Sequence, residues 1–371
     1  MDKRKEAREE INRVDREMAE LFCRRMAAVS TVAEYKMEHG LPIYDAAREE
    51  EVVRRNAALV EDPAMQEYYV RFLRETMKVS RAYQRKLLQG LSVAFSGVEG
   101  AFAAIAAQRI FPTAKRTPYP DFKSAYDAVV SGECDAAVLP IENSTAGEVG
   151  AVLDMMFSGS LYVNGVYDLS ISHCLMSLPG ATLSGVREVI SHPQALAQCA
   201  PYIREHGFGI RQFENTAAAA LYVAEQNDPT VAAIASEDTA ALYGLTVLEK
   251  NINASNVNTT RFAVLSRAQA PSSSSGRHSI LMFTARNEAG ALATAINIIG
   301  RHGFNMRCLR SRPMKELLWQ YYFYVELEGD LAGEEGRAML AEMASACDKL
   351  HVLGSFKFPA ELHAEAKEEM K

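Results

Sequence analysis

The sequence predicts a multidomain protein: an all-α N-terminal domain, then an α/β domain, then a small α+β domain. Three observations carry this expectation. Residues 1–89 hold a single glycine, Gly40, and repeat their apolar side chains with helical period. From Leu91 to about Arg267, short β-branched runs (LSVAF, DAAVLP, VREVIS, TVAAIA) alternate with Ala-rich helical stretches, the α/β pattern. A Pro/Ser/Gly segment, QAPSSSSGRH, then separates a last stretch that reads as βαββαβ. The boundaries drawn are 1–90, 91–268, a linker over 269–278, 279–358, and a charged tail over 359–371 read as a frayed helix.

Composition narrows the class of protein. Of the 371 residues 48% are hydrophobic, as in globular chains, and the net charge of −7 argues against a nucleic-acid partner. Cys23, Cys134, Cys174, Cys199, Cys308 and Cys347 are scattered without a CxxC spacing, which points to reduced thiols and not to a zinc site or disulfide frame. The start, MDKRKEAREE, is too charged for a signal peptide, and no apolar run is long enough to cross a bilayer. A soluble cytoplasmic protein with no membrane partner is expected.

The first predicted helix carries charge on the wrong face. Its apolar stripe is Ile11, Val14, Met18, Leu21, Phe22, Val29 and Val32, and Arg8, Arg25 and Lys36 fall on the same stripe. One basic side chain there would snorkel to solvent, but three together call for a buried anion, because unpaired buried charge costs several kcal/mol. Arg8 and Arg25 stand roughly 25 Å apart at 1.5 Å per residue, too far to serve one small ligand from one helix. A second chain lending its Arg8 resolves this, so an intertwined helical dimer is expected. Asp45 opens a second helix, as N-cap or ligand, with Arg48 and Glu49 in its first turns. Asp62-Pro63 opens a third, with inner stripe Met65, Tyr69, Phe72, Thr76, Ser80, Tyr83, Leu87 and with Gln84 beside it. Cations and neutral donors with no nucleophile or metal pair suit a dianionic substrate that rearranges under preorganised charge.

The run AREEINRVDREMAELFCRRMAAVSTVAEYK resembles the first helix of the all-helical chorismate mutases. Arg8, Arg25, Lys36, Asp45, Arg48, Glu49, Ser80 and Gln84 match that family's pocket residue by residue. The resemblance implies arginines on the two carboxylates of chorismate, with Arg8 from the partner subunit. It implies Lys36 and Gln84 on the ether oxygen, Glu49 on the hydroxyl, and prephenate as product without a covalent intermediate.

In the middle domain five polar loops follow predicted strands: SGVEGAF (96–102), LPIENSTAG (139–147), SHPQALAQC (191–199), ENTAAAA (214–220) and NTTRF (258–262). Each alone is a turn or a cap; together they describe one cleft between two lobes, at the strand ends where α/β sheets bind ligands. None is GxGxxG, which disfavours a nicotinamide site. Their order resembles prephenate dehydratase, whose catalytic domain has two lobes like a periplasmic binding protein. That resemblance implies Thr260 as the leading catalytic residue, with Arg261 on a carboxylate. It implies Asn143, Ser144, Gln198 and Thr216 around the ring, Glu142 and Ser191 within the site, and no metal or organic cofactor. One departure is Val98 where the family often has proline, with Ala101 and Ala103 at the small-residue positions, so that a hydroxyl contact to substrate there is absent.

The last stretch, with EAGALATAINIIGRHGFNM, resembles an ACT regulatory domain. The resemblance implies L-phenylalanine at an inter-subunit site of Gly290, Ala291, Leu292, Asn305, Ser311 and Arg312, in a homodimer or homotetramer. Arg310-Ser311-Arg312-Pro313 stands where that family has Glu-Ser-Arg-Pro, so the local charge is inverted. A bifunctional chorismate mutase–prephenate dehydratase is the leading expectation. A mutase fused to a dehydrogenase and a non-catalytic amino-acid sensor are its rivals.

Overall fold

The computed structural model describes residues 3–255, 257–269, 277–314, 320–357 and 360–362. They form two compact units, Met1–Ser92 and Val93–Lys371.

The first unit is three helices: α1 (Lys3–Glu38), α2 (Ala46–Ala57) and α3 (Pro63–Gln89). Asp45 caps α2 by accepting from Arg48 N at 3.0 Å, and Asp62 caps α3 at Ala64 N, with Pro63 at the first helical position. Among the described residues of one chain only Ala33, Val53, Met77, Ser80 and Gln84 are buried here. The stripe expected to face a core is open instead, with Ile11 57% and Leu21 58% exposed. So much contiguous apolar surface marks an interaction face.

The second unit holds three sheets. The first has order β16-β5-β11-β3-β1-β2, with β4 beside β3. Its strands are β1 (Ser92–Ser96), β2 (Lys115–Tyr119), β3 (Ala136–Asn143), β4 (Gly147–Glu148), β5 (Tyr162–Ser170), β11 (Thr259–Ser266) and β16 (Ala360–Leu362). Helices α4 (Phe102–Ile110), α5 (Phe122–Val130) and α6 (Gly150–Ser158) accompany it. The second sheet, β10-β6-β9-β7-β8, comprises β6 (Cys174–Ser177), β7 (Glu188–Ser191), β8 (Gly209–Gln212), β9 (Val231–Ala235) and β10 (Thr246–Glu249). Its helices are α7 (Pro193–Gln198), α8 (Ala200–His206), α9 (Thr216–Gln226) and α10 (Glu237–Tyr243). β9, sequence VAAIA, is buried along its whole length, as an unbroken apolar run requires of an inner strand. The chain passes between the sheets twice, after β5 at residues 171–173 and again between β10 and β11, which makes two lobes with a cleft between them.

The third sheet is antiparallel, order β13-β14-β12-β15. It contains β12 (Arg277–Ala285), β13 (Asn305–Pro313), β14 (Tyr321–Glu328) and β15 (Cys347–Lys357), with α11 (Ala291–Arg301) and α12 (Glu334–Ala346). One face packs on the two helices through Leu281, Phe283, Val325 and Leu327. The other face, Ile280, Met282, Tyr322, Tyr324, Leu353 and Phe356, joins the core of the first lobe. Two expectations change. Of the linker, residues 270–276 lie outside the described residues, and Arg277 and His278 already belong to β12. In the tail, Ala360–Leu362 is a strand parallel to β5 and not a frayed helix, because it completes the edge of the first sheet; residues 363–371 lie outside the described residues.

Candidate functional sites

In the helical unit, Arg25 on α1 donates a short hydrogen bond to the Ser80 hydroxyl on α3. Gln84, one turn beyond Ser80, is 7% exposed and its Oε1 has no partner among the described residues. A buried acceptor without a partner is costly, so this end of α3 is built to meet another group. Lys36 Nζ donates to Ile43 O at 2.6 Å, where the chain turns toward α2. Glu49 pairs with Arg81, both about a quarter exposed, an arginine that the sequence reading did not select. Arg48 points outward to Glu51 at 2.6 Å, and Asp45 is occupied as a cap. Arg8 is exposed near the far end of α1, so one chain brings together Arg25, Ser80 and Gln84 but leaves Arg8 remote.

The cleft of the second unit encloses about 520 Å³, and its lining includes Thr260, Phe262, Asn143, Gln198, Thr216, His173, His192 and Asn258. Among the described residues no lysine or arginine lines it. Burial lowers the pKa of both His173 and His192, which leaves their imidazoles neutral at pH 7. Helix N-termini supply positive potential in place of cations: the first residues of α4, α5, α7 and α9 all reach the cleft wall. The start of α4 has no side-chain cap, because Ala101 stands where a hydroxyl residue would bond it. Its first N–H groups are therefore open to an anion. The preceding turn needs Gly97 and Gly100 at φ +96° and +84°. The side chain of Thr239, on the other lobe, lies 3.3 Å from where a Cβ on Gly100 would sit.

Asn143 fixes the hydroxyl of Thr260. Its Oδ1 accepts from Thr145 N and Ala146 N at 3.0 and 2.9 Å, so the amide nitrogen must face the other way. There Nδ2 donates to Thr260 Oγ1 at 2.9 Å and to Asn258 Oδ1 at 2.8 Å. Thr216 lines the cleft at the first turn of α9, whose cap is Asn215.

Four expected residues fall elsewhere. Along β11 side chains alternate, so Thr260 and Phe262 face the cleft while Arg261 faces the opposite side of the sheet. Arg261 pairs with Asp168 at 3.1 Å, Glu326 at 3.3 Å and Glu142 at 3.7 Å. Burial works against its charge, but these carboxylates outweigh burial and hold it firmly protonated. Glu142, beside Asn143 on β3, is turned the same way and is held by Arg310 of β13. Ser144 ties two loops, donating to Val257 O at 2.8 Å and accepting from Thr259 N at 2.9 Å. Ser191 is fully buried and donates to Ile234 O at 2.6 Å, joining β7 to β9. Glu142, Ser191 and Arg261 lie within β3, β7 and β11 and Ser144 just past β3, and these four side chains serve the scaffold.

On the third sheet, Gly290 has φ +84° and precedes α11, with Ala291 and Leu292 in its first turn. Ser311 is exposed on β13. Arg312 turns to the first lobe and pairs with Glu148 at 3.0 Å and Asp154 at 3.2 Å. Asn305 sits at the other end of β13 opposite Glu328, about 20 Å from Ser311 at 3.3 Å per residue. One chain therefore does not gather these six residues. The inverted charge at Arg310 has a local cause, since its neighbours across the seam are Glu142 and Glu148.

A helical unit that sets Arg25, Ser80 and an unpartnered Gln84 acceptor together, and a two-lobed cleft that presents donors and helix N-termini, suit two sites for anions. Residues 7–85 match the family model for chorismate mutase type II, and residues 93–270 that for prephenate dehydratase. A bifunctional chorismate mutase/prephenate dehydratase of Aquifex aeolicus is 32% identical over 96% of this chain and 98% of its own. The solved prephenate dehydratase of Arthrobacter aurescens, in complex with L-Phe, is 29% identical, covers 72% of this chain and 90% of its own, and has a TM-score of 0.67. A structure described as GqqA, a novel type of quorum quenching acylase, is 31% identical, with 72% and 98% coverage and the same TM-score. The chain belongs to the bifunctional chorismate mutase/prephenate dehydratase family. It is an enzyme with an isomerase and a lyase on one polypeptide.

Proposed function

We propose that the helical unit rearranges chorismate to prephenate and that the cleft converts prephenate to phenylpyruvate, two steps of phenylalanine biosynthesis. The observation that carries the second assignment is the Asn143–Thr260 hydrogen bond. Because Thr260 Oγ1 accepts from the amide, its own proton is free for the cleft. In prephenate the bond to the ring carboxyl breaks and its electron pair enters the ring. The ring C–O bond breaks at the opposite carbon, carbon dioxide and hydroxide depart, and the ring becomes aromatic. Thr260 donates a hydrogen bond to the departing oxygen, and a water proton completes the loss of water. The open N–H groups of α4 and the Gln198 amide take the carboxylates, the role that the resemblance gave to Arg261.

For the mutase, Arg25, Lys36, Ser80 and Gln84 form one half of a pocket, with Arg48, Asp45 and Glu49 at its α2 side. Arg8 of the partner subunit completes it across the exposed stripe of α1. The assembly is a homodimer or homotetramer in the cytoplasm. The two lobes resemble a periplasmic binding protein, and residues 279–358 form an ACT domain that takes L-phenylalanine between subunits and inhibits turnover. The L-Phe complex of the Arthrobacter protein supports the effector. The test is to give purified protein chorismate without added cofactor and follow chorismate loss and phenylpyruvate formation by absorbance. Absence of both products refutes the assignment, and a flat rate across millimolar phenylalanine refutes the regulation.

A further inference from the structure

The two crossings between the lobes carry more than connection. Residues 171–173 run beside residues 250–255 and 257–258 and are stapled to them by side chains. Asn253 Nδ2 donates to Ile171 O at 2.8 Å while its Oδ1 accepts from His173 N at 2.6 Å. Ser172 Oγ donates to Asn251 Oδ1 at 2.6 Å, and Ile171 N donates to Asn258 O at 2.8 Å. Asn258 and His173 lie on these crossings and also line the cleft.

Their hydrogen bonds have one consistent direction, set by the backbone. Two peptide N–H groups fix Asn143 Oδ1, so its Nδ2 must donate to Asn258 Oδ1. With its oxygen used as acceptor, Asn258 must present Nδ2, which donates to Gln198 Oε1 at 3.0 Å. Gln198 Oε1 also meets His173 Nε2 at 2.9 Å, so that ring nitrogen carries the hydrogen. His173 is 2% exposed, and its Nδ1 is left as a buried lone pair without a partner among the described residues. The relay therefore leaves a donor at each end on a residue that lines the cleft: the Thr260 hydroxyl and the Gln198 amide nitrogen.

We propose that Asn258 and His173 are positioning residues of the dehydratase cleft, which orient Gln198 and Thr260 as donors by a hydrogen-bond relay across the interlobe crossings. The inference rests on the assignment of Thr260 to prephenate turnover. It gives Asn258 two functions that an isosteric carboxylate cannot combine. In Asn258→Asp one oxygen still accepts from Asn143, but the other faces Gln198 Oε1. The glutamine amide must then turn over and present its carbonyl to an anionic substrate.

The experiment measures prephenate turnover and mutase turnover of the full chain for Asn258→Asp, His173→Leu, His173→Gln and Thr260→Ala, with melting temperatures. The expected result for Asn258→Asp is a fall in dehydratase kcat of about 10²-fold, the size associated with loss of one preorganised donor, with mutase turnover unchanged. His173→Leu lowers kcat in the same direction, and His173→Gln, which keeps a donor toward Gln198, restores most of it. If Thr260→Ala abolishes turnover while Asn258→Asp and His173→Leu stay within about twofold of the parent, a change of under 0.5 kcal/mol, the relay is refuted and the site assignment stands. Retained turnover in Thr260→Ala removes both. A loss in Asn258→Asp that follows its melting curve, with His173→Leu fully active, assigns the crossings a structural role only and overturns the proposal.

Discussion

Replacing Arg261 by methionine separates the two roles that its position allows. The guanidinium lies on the far side of β11 from the cleft, against Glu326, Asp168 and Glu142. Glu326 is only 4% exposed, while the side chains of Asp168 and Glu142 are each 26% exposed. Removing one partner of a buried pair costs about 3–5 kcal/mol, and partly exposed partners contribute little. Glu326 keeps the Tyr324 hydroxyl at 2.7 Å and His278 at 3.1 Å, so the expected cost lies below that range, about 2 kcal/mol. At roughly 2–4 °C per kcal/mol the second unit should melt about 5 °C lower. The assay is the melting temperature of the dehydratase activity together with KM for prephenate at 20 °C. The expected result is a lower melting temperature with KM changed by less than about threefold, under 0.7 kcal/mol. A KM raised tenfold or more at unchanged melting temperature means that the guanidinium touches substrate, and the orientation argument fails.

Three further outcomes follow from the same contacts. Burial alone would raise the pKa of Glu326, but His278, Arg261 and Tyr324 outweigh it and bring it down to about 2 from 4.5. A depressed carboxylate contributes stability above its unfolded pKa and loses it as pH falls through the folded value. The stability gap between the parent and Glu326→Gln should therefore close by about 3 kcal/mol between pH 5 and pH 2, and a constant gap contradicts the pairing. Arg25→Ala should lower mutase turnover by at least about 10²-fold while prephenate turnover is unchanged; equal loss of both activities argues against separate sites. Arg310→Glu places like charges against Glu142 and Glu148, so it should lower the melting temperature of the second unit, and Glu142→Arg in the same chain should restore part of the loss.

Periodicity and turn chemistry revealed the architecture because each acts over a few residues. The caps at Asp45 and Asp62, the single glycine of the first unit and the β-branched runs after Leu91 are all local signals. The cleft was legible in its loops, since polar residues after buried strands have few other uses. The facing of individual side chains was less so. Arg261 and Glu142 lie one residue from Thr260 and Asn143, and only the pleat of two paired strands assigns them to opposite sides. That both meet charges from the third sheet is a contact across scores of residues, invisible to any spacing rule. Asn258 was in plain view as the first letter of NTTRF, but its function depends on Gln198, sixty residues earlier. The strand at Ala360–Leu362 was hidden because its charged surroundings read as a fraying end. The exposed stripe of α1 was read as core-facing, and a single chain leaves it uncovered.

The most direct test of two separate chemistries on this chain is Thr260→Ala supplied with chorismate and followed for both products. The account predicts that prephenate accumulates at the parent rate while phenylpyruvate formation falls by at least about 10²-fold. Phenylpyruvate formed at the parent rate would contradict it, and so would loss of prephenate formation along with it.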